Sequence, residues 1–283
     1  MTVSIGNTIR DAAEELRAAG INQPRLEAVL LLSHTLGCDR TFLIAHDDRA
    51  LTAEQSQILA AFVSRRAAGE PLQYITGQQG FFKFDFEVTP DVLIPRPETE
   101  LIVEAVLDLF PSNAEFNFAD IGTGSGCIAI SILHERPQSR ATAIDTSEKA
   151  LEVAGRNAET HNVIDRLRLV RSDLFKGVLE NQLFHLIVSN PPYVPDGELN
   201  TLQREVQREP RSALAGGADG LDVIRRLLGE TPQNLHAGGY LVFEFGINQD
   251  AEIRELLAGM VWELIEIRRD LQQIPRTIVL RKR

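Results

Sequence analysis

The segment Asp120-Ile121-Gly122-Thr123-Gly124-Ser125-Gly126 is a glycine-rich turn between a predicted strand and a predicted helix. The apolar residues 116–121 favour the strand, and residues 127–135 favour the helix. Glycines at such a junction let the backbone approach a ligand closely, and they direct amide groups toward it from the helix N-terminus. The turn therefore predicts a ligand site, with a bare tight turn as the structural alternative.

The chain from residue 116 onward alternates between predicted strands and helices, which is the pattern of a parallel sheet covered on both faces. Further strands are predicted at 141–145, 167–171, 184–189 and 240–244, helices at 147–161 and 221–235, and a terminal antiparallel pair at 261–267 and 277–281. We therefore predict a Rossmann-like α/β domain over residues 93–283, built on a seven-stranded, mostly parallel sheet.

The first 72 residues have helical periodicity and predict a small all-α bundle over residues 1–72, which we expect to recognise a partner or to clamp the next domain. Ile9, Ala12, Ala13 and Leu16 mark its first helix. A second helix should run from Pro24 to about residue 36, and a short third one over 41–46. Thr52-Ala53-Glu54-Gln55 resembles a capping box that opens a fourth helix, which should end near residue 66.

Residues 73–92 are predicted to form a β-hairpin linker, with arms at 73–77 and 81–88. In the second arm, alternation places Phe82, Phe84, Phe86 and Val88 on one face. A stiff segment follows, in which Arg96 stands between two prolines. Pro97 is well placed to begin a helix that runs to about residue 110.

The composition is that of an ordinary globular protein, with 43% hydrophobic and 24% charged residues in a chain of 283. A net charge of −11 argues against broad electrostatic binding to nucleic acid. Cys38 and Cys127 lie in different predicted elements, so neither a disulfide framework nor a metal motif is expected. No signal peptide and no run of about 20 apolar residues is visible. We expect a cytoplasmic monomer without a membrane partner.

Two aspartates end or follow the next two predicted strands. Asp145 is placed to accept hydrogen bonds from both hydroxyls of a ribose, while Asp173 and Leu174 can meet an adenine ring. A dinucleotide-binding turn would require glycine at the position of Cys127. The pattern therefore fits S-adenosylmethionine better than a dinucleotide. The predicted cofactor-binding residues are Gly122, Thr123, Gly124, Ser125, Gly126, Asp145, Asp173, Leu174 and Asn190.

The sequence Asn190-Pro191-Pro192-Tyr193 ends the predicted strand at 184–189. Prolines lack the backbone N–H, so they stop the strand and leave nearby carbonyls free to bind something else. An amide, free carbonyls and an aromatic ring are suited to holding a planar NH2 group. We predict Asn190, Pro191 and Tyr193 as catalytic residues, and these three with Pro192 as substrate-binding residues. An incidental proline turn is the alternative.

The chain resembles S-adenosylmethionine-dependent methyltransferases that act on amide or amino nitrogens, which carry Asp, Asn or Ser before Pro-Pro-aromatic at this position. It is most similar to the HemK/PrmC family of peptide chain release factor N5-glutamine methyltransferases. The matching motifs are residues 71–77, 93–100, 120–126, 189–193, 209–210, 213–214, 217–222 and Glu244-x-Gly246 with Gln249. Gly80 and Asn248 depart from the family, which generally has acidic residues there.

This resemblance implies a class I S-adenosylmethionine-dependent methyltransferase fold, with S-adenosyl-L-homocysteine as product and no metal. It also implies a substrate: the glutamine side-chain nitrogen, N5, in the Gly-Gly-Gln loop of a class 1 peptide chain release factor. Hydrogen bonds from the glutamine NH2 to the Asn190 side-chain oxygen and the Pro191 carbonyl would fix that nitrogen, and Tyr193 would pack on the flat amide.

Three other functions are compatible with parts of the sequence. Ribosomal-protein glutamine methyltransferases share the Asn-Pro-Pro-Tyr motif, but they generally differ in the segment after Arg96. An adenine N6-methyltransferase needs the same set of groups to hold a planar NH2. It also needs a basic surface, whereas this chain is acidic. A non-catalytic module could retain cofactor affinity alone. The roles of Arg96, Glu98 and Glu100 stay open at this point.

Overall fold

The chain folds into two compact units. The computed structural model describes residues 4–176 and 182–283, so residues 1–3 of the predicted bundle lie outside them. One unit, here called the N-terminal unit, extends to Gly77 and also contains Gln203–Arg208. The other, the sheet unit, contains Gln78–Leu202 and Glu209–Arg283. The sequence pattern did not indicate that Gln203–Arg208 would join the N-terminal unit.

The N-terminal unit is helical, as predicted. Its helices are α1 (Ile5–Ala18), α2 (Pro24–Leu36), α3 (Arg40–Ala45), α4 (Ala53–Ala67) and α5 (Leu72–Thr76). The predicted capping box is present, since the Thr52 hydroxyl accepts from the Gln55 N–H while the Gln55 side chain accepts from the Thr52 N–H. Gly37 ends α2 in the left-handed conformation, where glycine carries no Cβ penalty.

Arg66 explains why the distant segment Gln203–Arg208 belongs to this unit. Its guanidinium is almost fully buried and donates to the carboxylates of Glu27, at 2.5 Å, and Glu205, at 2.9 Å. A buried cation needs such partners, because removing it from water is costly. Arg204 adds a hydrogen bond to the carbonyl of Ala67 at 2.9 Å.

The hairpin forms, but it begins later than predicted. Its strands are β1 (Gln78–Phe81) and β2 (Phe84–Glu87), which pair antiparallel. The first arm expected at 73–77 is helix α5, which starts after Pro71 and stops at a left-handed Gly77. Phe82 lies in the turn with φ of +57° instead of on the strand face. Short apolar runs fit one helical turn as well as a strand, and this ambiguity caused the error.

The sheet unit contains the predicted seven-stranded, mostly parallel sheet. Its strands are β3 (Asn117–Ile121), β4 (Arg140–Asp145), β5 (Leu167–Arg171), β6 (Phe184–Ser189), β7 (Leu235–Glu244), β8 (Trp262–Arg269) and β9 (Pro275–Lys282). Their order is β5-β4-β3-β6-β7-β9-β8, and β9 runs antiparallel to both of its neighbours. The prediction of a terminal antiparallel pair is therefore confirmed.

The helices of this unit are α6 (Glu100–Leu109), α7 (Cys127–Glu135), α8 (Glu148–Thr160), α9 (Asp222–Glu230) and α10 (Asp250–Leu256). A 3-10 turn at Pro97–Thr99 precedes α6. The helix predicted over 221–235 was too long: α9 ends at Glu230, and a 3-10 turn containing Pro232 leads into β7. Within the described ranges, no helix is both long and apolar enough to cross a membrane.

Asn157 on α8 connects the hairpin to the glycine-rich turn. Its side-chain oxygen accepts from the Glu87 N–H at 2.7 Å, and its NH2 donates to the carbonyls of Glu87 at 3.0 Å and Ser125 at 2.9 Å. The side chain is buried, so water cannot replace these bonds. Asn157 thus holds two backbone segments in place at once.

Asp120, at the end of β3, is a fully buried carboxyl group that accepts a hydrogen bond from the Thr123 hydroxyl at 2.7 Å. Burial, which disfavours the charged form, raises the pKa of this carboxyl to about 7. The folded protein therefore binds a proton here at pH values where the unfolded chain has lost it.

Replacing Asn157 with Ala should lower the free energy of unfolding by about 2 kcal/mol, because three polar backbone groups lose their partner. Urea unfolding measures this. The matched control is Arg156→Ala, since Arg156 also pairs with Glu87 but across an exposed ion pair. Arg156→Ala should lower the free energy of unfolding by less than about 1 kcal/mol. Equal losses in the two variants would contradict the assignment of Asn157 as the connecting residue.

The raised pKa of Asp120 predicts that its contribution to stability falls as pH rises from about 4, near its value in an unfolded chain, to about 7. The contribution of Asp120 to the free energy of unfolding changes by at most about 1.4 kcal/mol per pH unit. Asp120→Asn is neutral throughout, so the variant should gain stability relative to the wild type as pH rises across this window. The measurement is the free energy of unfolding of both proteins at the two ends of this pH window. A difference between wild type and Asp120→Asn that stays constant with pH would refute the prediction.

Candidate active site

A cavity of about 210 Å³ lies at the carboxyl ends of β3, β4, β5 and β6. Ligands of open α/β sheets bind at this edge, where the strand order reverses. All predicted cofactor-binding residues except Gly126 line it, namely Gly122, Thr123, Gly124, Ser125, Asp145, Asp173, Leu174 and Asn190. Pro191 and Pro192 also line the cavity, whereas Tyr193 lies outside the lining.

Gly126 is the N-cap residue of α7. Its φ is +82°, and a Cβ there would lie 3.0 Å from Cδ1 of Ile130 and 3.2 Å from Cβ of Ala154. The packing of α7 against α8 therefore requires glycine at this position. Gly124 differs, because its φ is +55° but a Cβ would meet nothing within 4 Å. A side chain at Gly124 would take up open space beside the cavity.

Asp145 holds the glycine-rich turn. Its Oδ2 accepts from the N–H of Gly124 at 3.0 Å, and its Oδ1 accepts from the N–H of Ser147 at 2.9 Å. Burial raises the pKa of this carboxyl, and the backbone hydrogen bonds act in the opposite direction. Each carboxylate oxygen retains a further acceptor site, which suits vicinal ribose hydroxyls.

Asp173 is held by two cations. Its oxygens accept from Arg226 at 2.8 Å and from Lys176 at 2.7 Å. The hydrogen bond from Arg226, followed by that from Lys176, holds the pKa of Asp173 below its usual range. Arg226 also lines the cavity, and sequence reasoning missed it because α9 lies far from residue 173 in the chain.

These cavity residues fit a nucleoside-bearing cofactor. The lining provides a carboxylate at the end of β4, an apolar contact at Leu174 and the backbone of a glycine-rich turn. The open position at Gly124 leaves room for a ligand to approach that backbone. In the described part of the chain, no group of three or more His, Cys, Asp and Glu side chains is arranged to hold a metal ion.

Asn190 is oriented by a chain of hydrogen bonds. Its Nδ2 donates to Oγ1 of Thr99 at 3.0 Å. The Thr99 hydroxyl donates to Oε2 of Glu244 at 2.6 Å. Because the side-chain nitrogen of Asn190 is committed to Thr99, its Oδ1 is the atom that remains to accept from a ligand.

Tyr193 is tied to the same carboxylate. Its phenol donates to Oε1 of Glu244 at 3.0 Å, and its ring stays half-buried. Burial, and then the charge of Glu244, raises the pKa of Tyr193 well above its usual value. Glu244 is only 1% exposed, and burial raises its own pKa, which the hydrogen bonds from Thr99 and Tyr193 oppose.

The backbone of the Asn-Pro-Pro-Tyr motif is also fixed. The Gln249 NH2 donates to the carbonyl of Tyr193 at 3.0 Å, and its oxygen accepts from the N–H of Gly246 at 2.8 Å. Gly220 approaches the same carbonyl so closely that a Cβ would lie 2.3 Å from it. The family motifs around residues 220, 246 and 249 thus have a structural role in positioning Tyr193.

The acidic and basic residues that follow Pro95 have separate structural roles. Arg96 donates to the buried carboxylate of Glu209, which also accepts from the N–H of Ile94 at 3.0 Å. Glu100 accepts from the N–H of Phe82 at 2.8 Å and so fixes the hairpin turn. Glu98 is half-buried, and its charge contributes to the raised pKa of Glu244.

Sequence reasoning missed Thr99, Glu209 and Glu244 as site residues. Glu244 did carry a signal, because a carboxylate ends an apolar strand and stands in one of the family motifs. Thr99 also stands in such a motif, but its partner is 145 positions away in sequence. Only the folded sheet shows that the two side chains meet.

Two family models match the chain in separate regions. The PrmC N-terminal domain matches residues 7–77, and the methyltransferase small domain matches residues 99–229. The first region contains the motif at 71–77, and the second contains those at 120–126, 189–193, 209–210, 213–214 and 217–222.

Relatives that match nearly the whole chain agree with this result, and a solved structure matches the fold. The chain is 42% identical over 272 residues to a release factor glutamine methyltransferase of Koribacter versatilis, with 96% of each chain covered. It is 40% identical over 277 residues to one of Nitratidesulfovibrio vulgaris, covering 97% of this chain and 94% of that one. The fold matches a methyltransferase from Pyrococcus furiosus with a TM-score of 0.55 and 21% identity, over 77% of this chain and 96% of the other.

The predicted methyltransferase fold is therefore confirmed, and so is the resemblance. The chain belongs to the family of release factor glutamine methyltransferases.

Proposed function

We propose that the protein transfers a methyl group from S-adenosylmethionine to the side-chain nitrogen, N5, of the glutamine in the Gly-Gly-Gln loop of a class 1 peptide chain release factor, tuning translation termination. The observation that carries this proposal is the orientation of Asn190. Its Nδ2 is bound to Thr99, so its Oδ1 is presented as an acceptor at the cavity. An acceptor at this position suits a substrate that brings an NH2 group.

Asp145, Asp173 and the glycine-rich turn would hold the cofactor. Asp145 would accept from the ribose hydroxyls, Leu174 would contact the adenine, and Asp173 would lie at the adenine edge. Asn190 lines the same cavity and would therefore stand close to the reacting end. When bound, S-adenosylmethionine supplies an electrophilic methyl group, and its sulfur retains the electron pair of the broken carbon–sulfur bond.

Asn190 and Pro191 would act on the glutamine. An amide nitrogen is a weak nucleophile because its lone pair is delocalised into the carbonyl, so orientation must contribute much of the rate. The Asn190 Oδ1 and the Pro191 carbonyl would accept one hydrogen each from the NH2 group. Fixing the nitrogen in this way can contribute on the order of 7–11 kcal/mol in favourable cases.

The same two acceptors would stabilise the positive charge that develops on nitrogen during transfer. The nitrogen then becomes strongly acidic, so one N–H proton can leave to water. The half-buried ring of Tyr193 would pack on the flat amide, held by its bond to Glu244.

The choice of substrate is supported by the relatives. Proteins 42% and 40% identical to this chain over nearly their full lengths are release factor glutamine methyltransferases. The net charge of −11 disfavours nucleic acid as the methyl acceptor, because binding to phosphates depends on Lys and Arg. We therefore place the release factor ahead of a ribosomal protein or an adenine base as the substrate.

Purified release factor incubated with the protein and tritiated S-adenosylmethionine should become labelled, and mass spectrometry should place one methyl group on the Gly-Gly-Gln glutamine. Asn190→Ala should lower the rate by about 10²–10³-fold, as loss of a preorganised transition-state contact does. Its affinity for the cofactor should change little, since most of the cavity lining is retained.

The matched control is Asn113→Ala, which removes an exposed asparagine amide elsewhere in the same unit and should leave the rate unchanged. Release factor carrying alanine in place of the glutamine should stay unlabelled. Label in a ribosomal protein or in duplex DNA, with none in the release factor, would overturn the proposed substrate. Full activity of Asn190→Ala would overturn the proposed role of Asn190.

Replacing Asp145 with Ala should weaken cofactor binding by about 10- to 100-fold, because hydrogen bonds to a charged group are lost. Isothermal titration with S-adenosylhomocysteine measures the affinity directly. Asp165→Ala is the control, since Asp165 is exposed and lies outside the cavity lining. Equal affinities in the wild type and Asp145→Ala would show that this carboxylate does not hold the ribose.

A further inference from the structure

We propose that Glu244 and Thr99 are positioning residues that determine which atom of the Asn190 side-chain amide faces the methyl acceptor. This inference rests on the proposed function, and it assigns roles to two side chains that sequence reasoning left without one. Neither residue needs to touch the reacting atoms, because both act through Asn190.

The direction of the hydrogen bonds follows from the chemistry of the three groups. The Asn190 Nδ2 can only donate, so Oγ1 of Thr99 must accept at 3.0 Å. The single hydrogen of the Thr99 hydroxyl is then free to bind Oε2 of Glu244, at 2.6 Å. With Glu244 ionised, all three groups are satisfied in one arrangement only.

A flipped Asn190 amide would break this arrangement. Its oxygen would then face Thr99, whose hydroxyl would have to donate to Asn190 and abandon Glu244. Glu244 and Thr99 are 1% and 2% exposed, so water cannot replace the lost bond. The flip would also present the Asn190 NH2 to the NH2 of the acceptor, and two donors cannot bind each other. The buried chain thus selects the reactive orientation.

Glu244 fixes two members of the Asn-Pro-Pro-Tyr motif at once. Oε2 accepts from Thr99, and Oε1 accepts from the Tyr193 phenol at 3.0 Å. A carboxylate can accept on both oxygens, whereas the amide of glutamine can accept on one. Both carboxylate oxygens of Glu244 are therefore needed to hold Asn190, through Thr99, and Tyr193 together.

The sheet brings the groups together by register. Ser189 on β6 pairs with Phe243 on β7, so Asn190 and Glu244 are the next residues along neighbouring strands. Thr99 is contributed by the 3-10 turn before α6. Three separate segments therefore supply one continuous hydrogen-bonded chain inside the sheet unit.

The test compares two substitutions of Thr99. Thr99→Val keeps the shape but removes the hydroxyl, and it should lower kcat with release factor by about 10- to 100-fold, as a small misplacement of a reacting group does. Thr99→Ser keeps the hydroxyl and should retain activity within about threefold of the wild type. The affinity for S-adenosylhomocysteine should be alike in the Thr99→Val and Thr99→Ser variants.

A second comparison separates positioning from a general structural role. In an Asn190→Asp background both side-chain oxygens are acceptors, so orientation no longer matters. Adding Thr99→Val to that background should change kcat by less than about threefold. A purely structural role of Thr99 would instead give the same loss in both backgrounds, together with a lowered Tm.

The outcomes distinguish this inference from the function on which it depends. A wild-type protein that methylates no release factor glutamine would overturn the proposed function. A wild type that does so, with Thr99→Val equally active, would overturn the positioning role alone. Equal losses in Thr99→Val and Thr99→Ser, or equal losses in the two Asn190 backgrounds, would also overturn it.

Discussion

A buried carboxylate that accepts two hydrogen bonds is the interaction on which the candidate site depends. Glu244 ends β7 with almost no exposure to solvent, and it accepts from Thr99 and Tyr193. Burying an acidic group is costly unless its oxygens are paired. The hydroxyl groups of Thr99 and Tyr193 pair with the carboxylate and offset this cost. The same hydrogen bonds fix the side chains that flank the two prolines of the motif.

The order of the strands makes this arrangement possible. Because β6 lies between β3 and β7, its carboxyl end is beside both the glycine-rich turn and Glu244. The strand with the glycine-rich turn is therefore on one side of Asn190, and the strand that ends at Glu244 is on the other. One asparagine is thus placed to connect the predicted cofactor site with the predicted acceptor site.

Local patterns in the sequence predicted most elements of the sheet unit, including β5, β6 and α7 with their observed ends. They failed where two structures compete over few residues, as at 73–77, where a five-residue helix replaced a strand. They also could not predict contacts between distant segments. Thr99 with Glu244, Arg96 with Glu209, and Arg66 with Glu205 are each over 100 positions apart in sequence.

A neutron structure of the protein with S-adenosylhomocysteine and a Gly-Gly-Gln peptide would test the central claim most directly, because it shows which amide atom carries the hydrogens. The account predicts deuterium on the Asn190 nitrogen that faces Thr99, and the glutamine nitrogen hydrogen-bonded to the Asn190 Oδ1 and the Pro191 carbonyl. An Asn190 NH2 group directed at the glutamine, or a glutamine bound away from residues 190–193, would contradict it.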